Sequence, residues 1–437
     1  MLTDSIEAGA DAVPLHTGDA GAVLRFITAG SVDDGKSTLI GRLLYDTRQV
    51  LEDQLAAVEA ASQRRGMAAT DLSLLTDGLE AEREQGITID VAYRYISTAR
   101  RKFIIADTPG HVQYTRNMAT GASTAHAAVV LADATKGLLE QGRRHLYIAH
   151  LLGIREVIVA VNKMDLAGYE RAAFENVREA FEDFAERFGE RAPRLRCLPL
   201  SALCGDMVVT RGGNLDWYAG PTLLETLESI EAKSEVGAQP LRFPVQLVQR
   251  NAERGRTYLG RIASGSISAG ERIVVLPSGV TTSVAAIYRG AHPVPCAGAG
   301  DSVAVALDDE VDVTRGDLFA TTAEPPTITR DVEATLVWLS NEPLGTGSRY
   351  LIRHTTRTVK AKVAAVRGVV DIATLERAEP SGPIGANSIV HVALTAQQPL
   401  CVDAYAANRS TGAFILIDEA TNQTVAAGMI EQHRDIT

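Results

Sequence analysis

The sequence lacks the features of a membrane or secreted protein. Its longest apolar runs are AAVVLADA at 127–134 and VIVAVN at 157–162, which have the length of a β-strand rather than of a membrane helix. The first residues contain no basic stretch followed by a long apolar core, so we expect no secretory signal. Both absences argue against a function at or across a membrane.

Cysteine is scarce and widely spaced. The four cysteines are Cys197, Cys204, Cys296 and Cys401, and only the first two lie close together along the chain. This spacing fits neither a zinc site nor a framework of disulfides. We therefore expect free thiols in a reducing compartment, the cytoplasm.

Basic clusters are also missing. The formal net charge is −11, from 54 acidic and 43 basic side chains, and lysine and arginine form no block along the chain. An acidic chain without such a block is a poor partner for nucleic acid, although a local basic face can still occur on it. We therefore do not expect nucleic acid to be a partner.

What the sequence does contain is a change of pattern along its 437 residues, which are too many for one ordinary core. From 23 to 231, apolar runs of strand length alternate with helical stretches, which predicts an α/β domain with a mostly parallel sheet. Residues 241–325 and 326–437 hold short β-rich runs closed by glycine or proline, which predict two antiparallel β-barrel domains. The acidic start, 1–22, predicts a flexible N-terminal arm.

A phosphate-binding loop follows the first strand-like run, VLRFITA. The next residues, GSVDDGKS at 30–37, fit the P-loop pattern G-x-x-x-x-G-K-[ST] and lead into a helical stretch. Gly30 and Gly35 allow backbone N–H groups to approach phosphate oxygens, while Lys36 can reach the β- and γ-phosphates and Ser37 a Mg²⁺ ion. We assign nucleotide binding here to Gly30, Ser31, Val32, Asp33, Asp34, Gly35, Lys36, Ser37 and Thr38.

Two aspartates inside this loop are unexpected beside an anion. A P-loop binds phosphate mainly through its backbone, so the side chains of Asp33 and Asp34 can point away from the ligand. Carboxylates in such loops accept hydrogen bonds from nearby backbone N–H groups. We therefore interpret this pair as part of the loop structure and not as catalytic groups.

A second motif, DTPGH at 107–111, follows the strand-like run KFIIA. A carboxylate at a strand end, here Asp107, can hold Mg²⁺ through water. Gly110 would offer its N–H to the γ-phosphate. His111 would then orient the attacking water, as another side chain does in other GTPases.

The third motif, NKMD at 162–165, predicts the guanine pocket. Asp165 can accept hydrogen bonds from both N1–H and the N2 amine of guanine, a pair of donors that adenine lacks. Asn162 would connect neighbouring loops, and the stem of Lys163 would cover the base. A fourth segment, SAL, also follows a strand-like run, and the Ala202 N–H could meet guanine O6; its residues are Ser201, Ala202 and Leu203.

The segment EREQGITID at 82–90 lies between the first helix and the second strand, where a GTPase carries its first switch. Thr88 could donate a hydroxyl oxygen to Mg²⁺ only while the γ-phosphate is present, so such a loop orders with GTP and loosens after hydrolysis. The predicted metal ligands are Ser37, Thr88 and Asp107, and the predicted catalytic residues are Lys36, Thr88 and His111.

These motifs, in this order and followed by two β domains, resemble the elongation-factor branch of translational GTPases. Two details differ: Ser31 replaces the histidine usual in elongation factors, and Asp418 lies in a C-terminal region where they carry a basic residue. The chain more closely resembles the large, GTP-hydrolysing subunit of bacterial sulfate adenylyltransferase. That resemblance is carried by LTDGLEAEREQGITIDVAYRY, NMATGASTAHAAVVLADATKG and GNLDWYAGPTLLETLESI, besides the P-loop and the C-terminal stretch.

The resemblance implies a GTPase, using GTP and Mg²⁺, that drives the uphill conversion of ATP and sulfate to adenosine 5′-phosphosulfate and diphosphate. A separate small subunit would be the partner and would carry the adenylyl-transfer site, with its ATP and sulfate. This chain accordingly has no S-G-G-x-[DE]-S loop, no H-x-G-H pair and no second P-loop. Some relatives carry a fused adenylylsulfate kinase, an activity not expected in a chain that stops at Thr437.

Two alternatives to this hypothesis remain open at the level of sequence. One is a translation elongation-factor-type GTPase that delivers aminoacyl-tRNA. The other is a regulatory module that senses GTP without coupling its hydrolysis to synthesis.

Overall fold

A computed structural model describes the chain in six stretches that span the domains predicted above. The described residues are 21–64, 70–76, 92–108, 115–231, 238–251 and 255–431. None of the helices among them is long and apolar enough to cross a membrane.

The first domain is built on a six-stranded sheet with the strand order β2-β3-β1-β4-β5-β6. Five of these strands run parallel, and β2 pairs with β3 in the antiparallel sense at one edge. This confirms the predicted mostly parallel α/β domain. The strands are β1 Gly21–Ala29, β2 Ala92–Ser97, β3 Arg101–Asp107, β4 Ala127–Asp133, β5 Glu156–Asn162 and β6 Arg194–Pro199.

The helices of this domain cover the sheet with apolar faces. In the helix Arg171–Glu186 the side chains of Phe174, Val177, Phe181 and Phe184 are buried, at the spacing of three and four residues that puts them on one helical face. The helices are α1 Lys36–Asp46, α2 Glu52–Arg64, α3 Thr115–Ala122, α4 Glu140–Leu151, α5 Arg171–Glu186 and α6 Leu223–Ser229, with 3₁₀ turns at Leu72–Leu75 and Gly189–Arg191.

The centre of the sheet explains its long apolar runs. All seven residues of β4 are buried, and so are six of the seven residues of β5, because helices cover both faces. In the edge strand β2, exposed side chains instead alternate with half-buried ones, and Ile96 alone is buried. Tyr93 and Tyr95 of β2 are therefore exposed aromatic residues.

The second domain is a closed antiparallel barrel. Its sheet has the order β10-β15-β7-β8-β14-β11-β12, and a further pairing of β10 with β11 closes six of these strands into a ring. The strands are β7 Arg242–Asn251, β8 Gly255–Arg261, β9 Ser266–Ser268, β10 Arg272–Leu276, β11 Val280–Arg289, β12 His292–Val294, β13 Cys296–Gly298, β14 Ser302–Leu307 and β15 Leu318–Thr321.

The third domain closes in the same way. Its order is β17-β21-β22-β16-β20-β18-β19, and β17 also pairs with β18. Closure leaves no free edge in either ring, and both predicted antiparallel barrels are thereby confirmed. The elements are β16 Thr327–Trp338, β17 Arg349–His354, β18 Arg357–Val370, β19 Arg377–Ala378, β20 Ile389–Val402, the short helix α7 Arg409–Gly412, β21 Ala413–Ile417 and β22 Thr424–Ile430.

The third domain contacts both of the others. Tyr405 donates its hydroxyl to the Leu152 carbonyl oxygen of the first domain at 2.9 Å. Arg242, at the start of the second domain, forms a bidentate ion pair with Asp403 at 2.8 and 2.9 Å. Both Arg242 and Tyr405 are buried, so these contacts lie inside interdomain interfaces.

Three elements differ from the sequence-based prediction. Strand β1 begins at Gly21, two residues before the predicted domain start, because its first residue pairs with β3. The antiparallel strand β2 was not predicted, and neither was helix α2. Both elements have short or weak apolar patterns: β2 has six residues, and in α2 only Val58 and Ser62 are buried.

Candidate functional site

The predicted motifs converge at one edge of the parallel sheet. Strands β3, β4 and β5 end on Asp107, Asp133 and Asn162, and β1 ends one residue before Gly30. The carboxyl ends of parallel strands face the same way, so these residues line a common edge. Strand β1 lies between β3 and β4, the switch point where such sheets bind ligands.

The glycines of the phosphate loop occupy positions that other residues fit poorly. At Gly35 the backbone is left-handed, with φ of 91°, and a methyl group there would overlap the side-chain nitrogen of Asn162. At Gly30 a methyl group would lie 3.0 Å from the Leu131 carbonyl oxygen and close to Asp34. The loop therefore passes tightly between β4 and the loop after β5, and helix α1 starts directly after Gly35.

Lys36 lies inside the loop. Its ammonium donates to the carbonyl oxygens of Gly30 at 3.0 Å and Ser31 at 2.6 Å, and the residue is 7% exposed. Burial lowers the pKa of the Lys36 ammonium, while the carboxylates of Asp34 and Asp107 oppose that shift. The Lys36 cation and the N-terminal end of the α1 dipole therefore both favour binding of an anion at this position.

The two aspartates of the loop differ in environment. Asp34 is 3% exposed, and its Oδ2 accepts the Ser31 N–H at 2.5 Å, which closes the loop on itself. Burial raises the pKa of Asp34, against the effects of the Ser31 hydrogen bond and the Lys36 charge. Asp33 is exposed in a left-handed backbone conformation, with φ of 66°, and Val32 beside it is also exposed.

Asn162 joins three loops. Its Nδ2 donates to the Asp34 carbonyl oxygen at 2.7 Å, and its Oδ1 accepts the Ala202 N–H at 2.9 Å. The side chain is 2% exposed, so both hydrogen bonds are shielded from water. The phosphate loop and the two predicted base loops therefore hold a fixed relation to each other, and a purine oxygen at Ala202 would share that N–H with Asn162.

Asp165, the predicted guanine acceptor, is oriented by the loop after β6. Its Oδ1 accepts the Ser201 hydroxyl at 2.6 Å, and the same hydroxyl oxygen accepts the Cys204 N–H at 3.1 Å. Ser201 and Ala202 are buried, whereas Leu203 is 58% exposed beside them. One carboxylate oxygen of Asp165 is thus fixed, and an exposed apolar side chain lies next to the site.

Lys163 is anchored by an aspartate that the sequence analysis did not select. Its ammonium forms an ion pair with Asp133 Oδ2 at 2.9 Å, and its backbone is left-handed with φ of 63°. Burial opposes ionisation of Asp133, but the hydrogen bonds from Thr135 and Lys163 lower its pKa below the ordinary value. Because the ammonium is held, the aliphatic stem of Lys163 has a defined direction at the base side of the site.

Two of the three predicted Mg²⁺ ligands, Ser37 and Asp107, are among the described residues. Ser37 is half-buried in the first turn of α1, and Thr38 after it is also half-buried. Asp107 is 1% exposed, and its Oδ1 accepts the Thr28 hydroxyl at 3.1 Å. A hydroxyl and a carboxylate are ligands that Mg²⁺ takes alongside substrate phosphates. Elsewhere, the described residues contain no group of three or more His, Cys, Asp or Glu side chains that could hold a metal ion.

Comparisons with known proteins identify two families that match parts of the chain. Residues 22–233 match the elongation factor Tu GTP binding domain family, and residues 331–431 match the GTP-eEF1A C-terminal domain-like family. Sulfate adenylyltransferase subunit 1 of Citrobacter koseri is 50% identical over 414 residues, which cover 94% of this chain and 86% of that protein. The chain belongs to the sulfate adenylyltransferase subunit 1 family.

Other relatives extend this result. The protein of the same name from Salmonella typhimurium is 50% identical over 416 residues, which cover 94% of this chain and 86% of that protein. The bifunctional enzyme CysN/CysC of Mycobacterium tuberculosis is 51% identical over 413 residues, covering 93% of this chain and 67% of the longer relative. Members of the sulfate adenylyltransferase subunit 1 family therefore match this chain through all three domains.

Among solved structures, sup35 complexed with GDP aligns over 97% of both chains at 24% identity, with a TM-score of 0.43. The fold of this family member is defined by its own strand pairing, described above.

Three predicted site residues, Thr88, Gly110 and His111, lie outside the described residues. Their roles stay predictions.

Three residues of the site were missed by the sequence analysis. Asp133 carried the signal that selected Asp107, an acid at the end of a buried strand, and could have been found in that way. Thr28 and Arg42 carried no local signal, since each acts on a residue far along the chain. Thr28 bonds to Asp107, and Arg42 bonds to the Ala202 carbonyl oxygen at 3.2 Å.

Proposed function

We propose that this member of the sulfate adenylyltransferase subunit 1 family binds and hydrolyses GTP, and that hydrolysis drives formation of adenosine 5′-phosphosulfate on a partner small subunit. The partner would bind ATP and sulfate and carry out adenylyl transfer. Similarity to named subunits through all three domains supports this function over one shared only by GTP-binding domains.

The observation that carries the proposal is the pair of hydrogen bonds made by Asn162. They tie the loop with the features of a phosphate site to the loops with the features of a guanine site. A nucleoside triphosphate would bind across these loops, with its phosphates at the start of α1 and its base between Lys163 and Leu203. Asp165 would select guanine, because its carboxylate can accept hydrogen bonds from both N1–H and the N2 amine, a pair of donors that adenine lacks.

Charge at the phosphate end favours the transition state of phosphoryl transfer. Backbone N–H groups of the phosphate loop and the Lys36 ammonium would donate hydrogen bonds to the phosphate oxygens. Lys36 would then exchange the carbonyl oxygens of Gly30 and Ser31 for oxygens of the ligand. Such preorganised donors stabilise charge on the β- and γ-phosphates as the bond to the leaving GDP breaks.

Ser37 and Asp107 would hold a Mg²⁺ ion together with the predicted ligand Thr88. The ion would neutralise charge on the β- and γ-phosphate oxygens. The hydrogen bond from Thr28 orients the Asp107 carboxylate for this role. His111, directly after the predicted γ-phosphate contact at Gly110, would position water in line with the bond that breaks.

Coupling requires more than hydrolysis. GTP- and GDP-bound forms must differ in their affinity for an intermediate of the partner, because a ligand that does not distinguish two states cannot shift them. We expect the segment around Thr88 and the DTPGH motif to provide this difference, since the γ-phosphate would be their common ligand.

The test is phosphate release from GTP by the purified chain together with the small subunit, with and without ATP and sulfate. Stimulation by both substrates, and loss of net synthesis with a non-hydrolysable GTP analogue, is the expected result. Lys36→Ala should abolish both activities, whereas Lys102→Ala, an exposed lysine on β3, should leave them intact.

Two outcomes would contradict the proposal. Equal synthesis with the non-hydrolysable analogue would indicate a GTP sensor without energetic coupling. Stimulation by ribosomes and aminoacyl-tRNA, but not by the small subunit, would indicate an elongation-factor-type function.

A further inference from the structure

Arg42 connects the phosphate-loop helix to the loop after β6. It lies in α1, six residues after Lys36, and its guanidinium reaches the main chain of a loop 160 residues away. Its Nε donates to the Ala202 carbonyl oxygen at 3.2 Å, and its Nη2 donates to the Leu203 carbonyl oxygen at 2.5 Å. Two successive carbonyl groups of the predicted base loop are therefore held by one side chain.

We propose that Arg42 is a positioning residue for guanine recognition: it fixes the main chain around Ala202 and so sets the place of the N–H that faces the purine. This inference rests on the proposed GTP-binding function and assigns a further specificity determinant to the same site. Arg42 touches neither the phosphates nor the base in this scheme.

The geometry explains why arginine occupies this position. A planar guanidinium presents several N–H donors in a fixed fork and can serve two adjacent carbonyl groups at once, which an ammonium on a flexible stem does poorly. The fork is itself oriented, because Asp46 lies 3.6 Å from Nη1 and the Tyr45 ring centre lies 5.8 Å from the guanidinium carbon. The Arg42 side chain is 18% exposed, and its hydrogen bond to Ala202 is partly buried whereas the one to Leu203 is exposed.

The loop transmits this restraint to Asp165. The Gly205 N–H donates to the Ser201 carbonyl oxygen at 2.8 Å, which closes the loop as a tight turn. The Ser201 hydroxyl then donates to Asp165. A shift of Ala202 and Leu203 would therefore disturb both the N–H and the carboxylate that contact guanine.

Other packing on this loop is limited. A cavity of about 530 Å³ lies beside it, lined by Arg42, Arg48, Cys204 and Gly205 among other residues. Leu203 is also largely exposed. Ala202 is buried in the core of the domain, but Leu203 and Cys204 after it are exposed, so the two Arg42 hydrogen bonds restrain a segment that has little apolar packing of its own.

The experiment compares two ligands with the same triphosphate. GTP carries O6, N1–H and the N2 amine, whereas purine riboside triphosphate lacks all three and therefore makes none of the proposed base contacts with Ala202 and Asp165. Their affinities would be measured by calorimetry for the full chain and for Arg42→Ala. We expect GTP affinity to fall about tenfold, the value of roughly one hydrogen bond between base and loop, and affinity for the analogue to change by less than about twofold.

Two variants serve as controls. Arg42→Lys keeps the charge but can serve only one carbonyl group well, so we expect a loss of about threefold for GTP alone. Arg178→Ala removes an arginine whose ion-pair partners among the described residues, Glu175, Glu179 and Glu182, all lie within α5, and it should leave both affinities unchanged.

Equal losses for both ligands in Arg42→Ala would overturn the inference, because they would indicate general damage to the domain. Unchanged GTP affinity would overturn it as well. If the unmodified chain does not prefer GTP over the analogue, the proposed GTP-binding function is wrong. This failure is distinguishable from a failure of the Arg42 inference, because it is measured before any substitution is made.

Discussion

Gly35 provides the sharpest test of how the phosphate loop is supported. An alanine there would meet two separate obstacles: a left-handed backbone, with φ of 91°, and the side-chain nitrogen of Asn162. Gly137 offers a matched control, since its φ is 74° and a methyl group there has no neighbour within 4 Å. Comparing the two substitutions separates backbone strain from displacement of Asn162.

The magnitudes follow from these contacts. Left-handed strain costs about 1–2 kcal/mol at either position. Only Gly35→Ala also forces Asn162 away from the Asp34 carbonyl oxygen and the Ala202 N–H, two buried hydrogen bonds worth about 1 kcal/mol each. We therefore expect the free energy of unfolding to fall about 2 kcal/mol further in Gly35→Ala than in Gly137→Ala, and GTP affinity to fall about thirtyfold in Gly35→Ala alone.

The assays are calorimetric titration with GTP and chemical denaturation of the full chain. The double variant Gly35→Ala with Asn162→Ala completes a mutant cycle. If the methyl group acts by displacing Asn162, the double variant should bind GTP no more weakly than Asn162→Ala does. Additive losses, or equal effects at Gly35 and Gly137, would refute this account of the loop.

Three further predictions concern the base pocket and the barrels. Asp165→Asn should move preference from guanosine to xanthosine nucleotides, because an amide can donate where the carboxylate only accepts; an unchanged preference in a competition assay would mean that the base pocket lies elsewhere. Arg242→Ala should lower the free energy of unfolding by about 3–5 kcal/mol, because it leaves the Asp403 carboxylate, whose side chain is 15% exposed, without its charged partner. Arg250→Ala, in an exposed pair, should cost less than about 1 kcal/mol, and equal losses in denaturation would contradict this. The hydrogen bond with His391 lowers the pKa of Glu431 from 4.5 to about 2, although burial opposes this shift. The ionised Glu431 carboxylate therefore contributes its full stabilisation above pH 4.5, and this contribution is lost as the pH falls towards 2. Between about pH 5 and pH 2, the thermal midpoint should therefore drop less for Glu431→Gln than for the unmodified chain. Equal drops in the two proteins would show that Glu431 does not have this lowered pKa.

Local patterns in the sequence were sufficient for several features. The P-loop signature, the acids at strand ends and the alternation of apolar runs with helical stretches each involve residues close together along the chain. Because backbone geometry turns such short-range patterns directly into strands, turns and helix starts, the fold class could be predicted. The weakly patterned elements β2 and α2 could not, since the neighbours that stabilise them come from elsewhere in the chain.

The sequence by itself determined the order of the motifs, the fold class and the family that they resemble. Only the tertiary structure decided how the motifs are joined: Asn162 reaches a loop 128 residues away, Arg42 reaches one 160 residues away, and Asp133 anchors Lys163. Which strands pair to close each barrel, β10 with β11 and β17 with β18, was likewise not visible in the sequence. The physical reason is that hydrogen bonds between distant segments depend on where the packed sheet brings the chain, and no local pattern carries that information.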